Sequence, residues 1–296
     1  MKNRVGALVK LISAMLIFGS IGLLVRYIPL DSGIIAFARA LVGVAFLLSV
    51  LLIKRTRLSF SAIKKNITYL IASGIAIGFN WILLFESYKY TSVAVSTLCY
   101  YMAPILVTLV SPFVLKEKLT AKRLLCVVAA LMGLILISGI SDSGIPKNEE
   151  FTGVYLGLGA AVLYAIVILL NKKLRGINAL DRTVFQLLVS AIVLLPYNFV
   201  TSDISSVAIT PSAWILLAVA GVIHTGLAYY LYFGSMEHLS GQDIALASYI
   251  DPVVAVVVSI TVLKEPFSAY TVIGTVTILG AALFSELSPR KERKAE

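Results

Sequence analysis

The sequence predicts an all-α polytopic membrane protein whose ten transmembrane helices form two inverted five-helix repeats. The chain of 296 residues is 59% hydrophobic and only 14% charged, a balance far from that of a soluble domain. It contains ten apolar stretches, each approaching the roughly 20 residues that a helix needs to cross a bilayer. One stretch of 24 residues occurs twice, which divides the chain into two related halves.

The ten apolar stretches, numbered here as segments 1 to 10, give the predicted helices and their order. Basic residues precede segment 1 as they do in a signal peptide, but no clear small-residue cleavage site follows, so we retain it as a helix. The predicted ranges are 6–27, 33–53, 67–88, 93–115 and 121–140 for segments 1 to 5, and 152–172, 182–201, 211–233, 242–263 and 269–287 for segments 6 to 10.

The duplicated stretch comprises residues 98–121 and 246–269, which align without a gap at a constant offset of 148. Ten of the 24 aligned positions are identical. In so apolar a chain, shared Leu and Val carry little information, so the matched Tyr-x-x-Pro and Leu-Lys-Glu sequences decide the alignment. Internal duplication is typical of secondary transporters, whose substrate site lies between the repeats. The informative matches are Tyr101 with Tyr249, Pro104 with Pro252, Lys116 with Lys264, and Glu117 with Glu265.

The polar stretch 141–151, which contains Gly and Pro as helix breakers, is the predicted loop between the repeats. It separates a first repeat at 1–140 from a second repeat at 152–288, and a basic cytoplasmic tail follows at 289–296. Each repeat contains five helices. Because five is odd, the second repeat enters the membrane from the opposite side, and the two repeats are predicted to be inverted.

The net charge of +10 is interpreted from its distribution along the chain. With a cytoplasmic N-terminus, 20 Lys and Arg residues fall on the cytoplasmic side and four on the other, while Arg39 lies within segment 2. The positive-inside rule therefore predicts that both termini are cytoplasmic. The basic patches are expected to face anionic lipid headgroups, with no nucleic-acid partner. We expect an integral protein of a bacterial inner (cell) membrane.

The run Asn80–Thr120 resembles helices 3 and 4 of the EamA-type, ten-helix branch of the drug/metabolite transporter superfamily. The similar features are an aromatic-rich helix, the turn Tyr90-Thr91-Ser92, a mid-helix Pro104 and the loop sequence LKEKLT. Residues 229–268 repeat the pattern more weakly. The resemblance implies ten spans in a five-plus-five arrangement and cytoplasmic termini. It also implies transport of amino acids, amines or other metabolites and drugs, often outward.

A polar stripe on segment 4 is the first candidate for a binding site. Its members recur at spacings of four, three, four and three residues, which places them on one helical face. Such a face is expected to line the bundle interior or a cavity, because lipid offers no hydrogen-bond partners. Prolines within it remove a backbone hydrogen bond and bend the helix, or are elements of shape only. The stripe comprises Thr97, Tyr101, Pro104, Thr108 and Ser111, and segment 9 repeats it as Tyr249, Pro252 and Ser259.

Asp251 lies near the middle of segment 9, where a charged side chain costs about 2.5–3.5 kcal/mol on insertion scales. Its repeat mate is Ala103, so the two-repeat fold does not itself require an acid there. Two interpretations are compatible. Asp251 carries a proton or balances a cationic group on the substrate, or it forms a buried ion pair with Arg39 of segment 2.

Five further residues are candidates with a structural alternative for each. Glu86 near the end of segment 3 contributes to the site or pairs with Lys89 three residues later. His224 in segment 8 shuttles protons or takes a hydrogen-bonded packing role. Asn80, Trp81 and Asn171 contact polar or aromatic substrate groups, although an Asn equally bridges two helices.

The sequence offers no enzyme motif: HExxH, Walker A, GxSxG and a Gly-rich nucleotide fingerprint are all absent, so no catalytic residues and no cofactor are predicted. Two histidines in the whole chain argue against a multi-histidine metal site. The leading interpretation is a secondary active transporter, acting as an exporter, of small metabolites such as amino acids or amines, driven by gradients or exchange. The alternative is a membrane sensor or intramembrane enzyme on the same scaffold. Substrate identity, coupling and oligomeric state stay open.

Overall fold

The computed structural model describes residues 2–114, 120–137, 148–202, 210–236, 238–239 and 241–287, and every regular element within those ranges is helical. The helices coincide with the ten predicted segments. Segment 1 comprises Lys2–Gly19 and Ile21–Arg26, segment 2 Ser32–Ile53, segment 3 Ile67–Tyr90, segment 4 Val93–Tyr100 and Ala103–Val114, and segment 5 Ala121–Ile137. Segment 6 comprises Asn148–Asn171, segment 7 Ala179–Thr201, segment 8 Pro211–Met236, segment 9 Gly241–Ser248 and Ile250–Thr261, and segment 10 Ala269–Leu287. A short helix, Phe60–Lys65, links segments 2 and 3.

Seven described helices, those of segments 1 to 4 and 6 to 8, are long and apolar enough to cross a membrane. Segments 9 and 10 contribute shorter apolar helices, Leu246–Thr261 and Ala269–Ser285, and segment 5 a helix of 17 residues. The all-helical polytopic class is therefore confirmed. Segment 6 begins at Asn148 and not at 152, because Glu149 and Glu150 occupy its first turn, where acidic side chains complement the helix dipole. The remainder of the predicted loop and the tail at 289–296 lie outside the described residues.

Several long segments are interrupted near their middles. Segment 4 breaks at Tyr101 and Met102, just before Pro104, and segment 9 breaks at Tyr249, just before Pro252. Proline lacks the N–H that would close the next helical hydrogen bond, so the two repeats break at the same aligned position. Segment 8 contains a different irregularity, a π-helical turn over Val222–Leu227.

The helix contacts map onto themselves when the two halves are exchanged. Segment 3 packs along segment 6, and its counterpart segment 8 packs along segment 1. The contact between segments 3 and 7 corresponds to the contact between segments 8 and 2. In the same way, the contact between segments 4 and 6 corresponds to the contact between segments 9 and 1. Repeat mates also contact each other directly: 2 with 7, 4 with 9, and 5 with 10. The contact between segments 2 and 3 is an exception to the symmetry, because segments 7 and 8 contact each other much less. This pattern is the one expected for two repeats related by a pseudo-two-fold axis.

Small residues stand at the closest helix crossings. A Cβ on Gly74 would lie 2.7 Å from the Cβ of Val189 on segment 7, and one on Gly157 would lie 2.9 Å from the Cβ of Cys99 on segment 4. These glycines belong to Gly-x-x-x-Gly pairs, which let helix backbones approach closely in lipid. Both pairs therefore serve packing within the chain.

Apolar side chains form two large clusters. One joins segments 2, 3 and 7, and the other joins segments 4, 5, 6 and 10. A smaller cluster holds segment 1 to segments 8 and 9. Segments 1, 4 and 9 consequently meet where the clusters adjoin, and this is where the polar residues of the candidate site lie.

Candidate functional site

Tyr101 and Tyr249 directly follow the first helices of segments 4 and 9. Each ring therefore lies at the helix break of its own segment, and the two breaks are equivalent. Their ring centroids lie 6.5 Å apart, and the Tyr101 hydroxyl donates to the carbonyl of Ser248 at 3.2 Å. These two tyrosines are repeat mates at the offset of 148. The structure brings them together at the contact between segments 4 and 9.

Asp251 lies in the first turn after the break in segment 9. Among the described residues its carboxylate forms no ion pair. Segment 1 approaches its backbone so closely that a Cβ on Gly19 would lie 2.4 Å from the Asp251 carbonyl oxygen. The mid-membrane acid thus sits where segments 1, 4 and 9 converge.

Arg39 is buried and bonded elsewhere. Its Nε donates to Thr225 Oγ1 at 2.7 Å, one terminal nitrogen donates to the His224 carbonyl at 3.2 Å, and its guanidinium carbon lies 4.2 Å from the ring centroid of Trp81. The π-helical turn of segment 8 supplies both acceptors, because it takes the His224 carbonyl out of the regular helical pattern. No ion pair among the described residues involves Arg39. A direct ion pair with Arg39, one of the two interpretations of Asp251, is therefore not formed among the described residues.

Arg182, in the first turns of segment 7, was not predicted as a site residue. It is one of the 20 Lys and Arg residues assigned to the cytoplasmic side. Its position at the start of a predicted helix was the feature that could have indicated a partly buried cation. Its Nε is buried without a hydrogen-bond partner, and among the described residues no carboxylate forms an ion pair with it. It is a half-buried cation in the same part of the bundle as Tyr232, Tyr164 and Tyr229.

Tyrosines from three segments surround this region. Each retains partial exposure, 37% in the case of Tyr164. Tyr164 packs on Tyr100 with ring centroids 5.1 Å apart, and Tyr229 packs edge-on against Phe18 at 5.3 Å. The set comprises Tyr100 and Tyr101 of segment 4, Tyr164 of segment 6, and Tyr229 and Tyr232 of segment 8.

The predicted asparagines bridge helices. Asn80 donates to the carbonyl of Ala160 at 2.5 Å, which joins segments 3 and 6. Asn171 accepts from Gln186 at 2.7 Å, and Gln186 also donates to Ser73 at 2.6 Å. These bonds occupy the amide groups in packing between segments.

Glu86 and His224 have defined partners. Glu86 pairs with Lys89 at 2.9 Å and accepts from Ser32 at 2.7 Å, beside a cavity of about 160 Å³ that both partners line. His224 is 8% exposed, and its Nε2 lies 3.1 Å from Ser20 Oγ, at the break in segment 1. Both sets of contacts match the structural alternatives given for these residues.

Comparison with known proteins agrees with the two-repeat architecture. The chain matches the EamA-like transporter family twice, over residues 6–139 and 151–286. The chain belongs to this family. It is therefore an integral membrane protein and a transporter by family membership, as the resemblance in segments 3 and 4 implied.

Two relatives illustrate the similarity. The uncharacterized transporter YxxF of Bacillus subtilis (strain 168) is 31% identical over 285 residues, which cover 95% of this EamA-family chain and 90% of the relative. Protein PecM of Dickeya dadantii (strain 3937) is 27% identical over 233 residues, covering 76% of each chain. A protein of known crystal structure has the same fold, with a TM-score of 0.66, 18% identity, and coverage of 96% and 97% of the two chains.

Proposed function

We propose that this EamA-family transporter is a secondary active transporter that exports small metabolites such as amino acids or amines by alternating access between its two repeats. The observation that carries the proposal is the facing pair Tyr101 and Tyr249, with Asp251 beside it. Repeat-related side chains meet at aligned helix breaks near mid-membrane, which is where transporters built from inverted repeats bind substrate. The predicted charge split assigns both termini to the cytoplasm of a bacterial cell.

In this proposal, the charged side chains of the candidate site determine which charged groups a substrate must carry. Asp251 has no ion pair among the described residues and is the candidate counter-charge for an ammonium group. Arg182 is the candidate partner for an anionic group, since its guanidinium also has no carboxylate partner there. An amino acid carries one group of each charge, whereas an amine carries only the group that Asp251 would bind. The tyrosine faces accept the apolar or aromatic part of either substrate, and they attract cations through their π-systems.

The other predicted residues take supporting roles in this proposal. Pro104 and Pro252 keep the helix breaks in place. Asn80 and Asn171 hold segments 3 and 7 against segment 6, and Trp81 stacks under Arg39 so that both keep their positions. Asp251 also serves as the candidate proton carrier, because no ATP-binding motif is present and a gradient or exchange must drive transport.

Flux measurements test this function. Purified protein in proteoliposomes is loaded with unlabelled amino acids or amines, and uptake of the radiolabelled compound is followed as counterflow. We expect saturable counterflow for at least one zwitterion or amine, together with a rise in thermal stability on adding it, because a ligand that binds the folded state stabilises it. A folded protein that shows neither response to any member of these two classes would contradict the proposed substrates.

A further inference from the structure

Glu265, in the turn after segment 9, holds the ends of three segments together. Its side chain is 8% exposed, and its Oε1 lies 3.0 Å from a terminal nitrogen of Arg26 at the end of segment 1. Its Oε2 accepts from the backbone N–H of Val93 at 2.9 Å, at the start of segment 4. The same oxygen accepts from the Ser259 hydroxyl. A buried carboxylate with this many charge-assisted bonds is held strongly.

Arg26 extends the contact to a fourth segment. Its other terminal nitrogen donates to the carbonyl of Tyr88 near the end of segment 3. By contrast, the ion pair at the opposite end of the bundle joins Arg4 to Asp243 at 3.1 Å, and its Arg side chain is 65% exposed. Exposed pairs contribute little to stability, so the ion pair at this end of the bundle holds its segments more strongly than the one at the other end.

Below Arg26, segment 1 lies flat against segments 4 and 9. A Cβ on Gly22 would lie 2.4 Å from a methyl carbon of Val93, and a Cβ on Gly19 would lie 2.4 Å from the Asp251 carbonyl oxygen. The side chains of Val93 and Val254 pack directly on these two glycines. The ion pair and the glycine contacts together close one end of the bundle over Asp251.

The turn that positions Glu265 is itself unusual. Lys264 adopts a φ of 56°, in the left-handed region that residues with a Cβ rarely occupy. That backbone turns the carboxylate inward, and the Glu265 N–H donates to the Ser259 carbonyl at 3.1 Å. The second copy of the duplicated Leu-Lys-Glu sequence therefore serves to place this one side chain.

We propose that the Arg26–Glu265 ion pair is the outer latch of the transporter, which holds segment 1 against segments 4 and 9 and must break before substrate leaves outward. This inference rests on the proposed alternating-access function, and it depends on the topology that places Arg26 outside. Arg26 and Glu265 are positioning residues, since they act on the site through segment 1 and do not touch the substrate.

Accessibility from outside tests the latch without needing a substrate. A reporter Thr97→Cys, one turn below Val93 and 6% exposed, is placed in a background with Cys99→Ala and Cys126→Ala. Intact cells are treated with a membrane-impermeant thiol reagent. We expect Glu265→Gln, which keeps the acceptor oxygen but loses the charge, to raise the labelling rate about tenfold, as loss of a charged hydrogen bond implies.

Three further variants make the result specific. Arg26→Gln should raise labelling by a similar factor. The double variant Arg26→Gln with Glu265→Gln should add little beyond either single change, since residues that act as one pair are non-additive. Arg4→Gln, which removes the exposed pair at the other end, should leave outside labelling unchanged.

The outcomes separate the latch from the proposed function. Unchanged labelling in Glu265→Gln, with flux intact or with only a lowered unfolding temperature, would make Glu265 a structural anchor and overturn the latch. Additive effects of the two changes would also overturn it. Raised labelling in a protein that shows no counterflow would support the latch while contradicting transport of amino acids and amines.

Discussion

The Tyr101 and Tyr249 rings, 148 positions apart in the chain, lie 6.5 Å apart in space. Each follows a short helix and precedes a proline by three residues, so one duplicated sequence places two equivalent side chains on the same contact. Asp251 breaks this equivalence, because its repeat mate is Ala103. The site is therefore symmetric in shape and asymmetric in charge.

Asp251→Asn is predicted to abolish counterflow of cationic and zwitterionic substrates while leaving a folded protein. Arg39 is bonded to Thr225 and His224, so removing the acid does not strand an ion-paired cation. The change in unfolding free energy should stay well below the roughly 3–5 kcal/mol of a broken buried pair. Flux and thermal unfolding are measured on the same preparation.

The matched control is Asp243→Asn, the same substitution in the first turn of segment 9. This variant should retain counterflow. A large loss of stability in Asp251→Asn that is recovered by also neutralising Arg39, with transport restored, would instead establish the ion-pair role.

Thr225→Val is predicted to destabilise the protein by about 1–3 kcal/mol, because it leaves the buried Nε of Arg39 without its acceptor. Thr225→Ser keeps the hydroxyl and should cost less, and the two variants together isolate the hydrogen bond from the packing of the methyl group. Unfolding temperature in detergent provides the measurement. Equal destabilisation by Val and Ser would show that the 2.7 Å bond contributes little.

Arg182→Gln is predicted to raise the apparent KM for substrates with an anionic group by about tenfold, the equivalent of one lost charge-assisted hydrogen bond. Amines without such a group should be affected much less, since Asp251 still binds their ammonium. The exposed Arg175→Gln serves as the control for a lost positive charge near segment 7. A uniform loss across both substrate classes would indicate that Arg182 stabilises the fold and does not recognise an anion.

The inverted topology predicts opposite locations for two positions in the chain. Reporter fusions after Glu296 should be cytoplasmic, and reporters inserted within 141–150 should be external. The reason is the 20-to-4 distribution of Lys and Arg together with five helices in each repeat. If both reporters are found on one side, the two repeats are not inverted.

The helical membrane class and the helix positions followed from the sequence because hydrophobicity along the chain is a local property. The pairing of segments 4 and 9 also followed, since the repeat supplied matched tyrosines and prolines at one offset. Residue type and spacing are sufficient to predict the membrane class, the helix positions and this pairing. The same predictions would follow for any arrangement in which symmetry relates the two halves.

The partners of the buried polar groups were decided by the tertiary structure alone. A direct Asp251–Arg39 ion pair was one of two interpretations of Asp251, but the π-helical turn at Thr225 offers Arg39 acceptors that no hydropathy pattern encodes. Glu265 reaches Arg26 through a left-handed turn at Lys264. Each contact depends on the rotation of a helix about its axis or on one irregular backbone angle, to which apolar periodicity is insensitive, so only the packing assigned these partners.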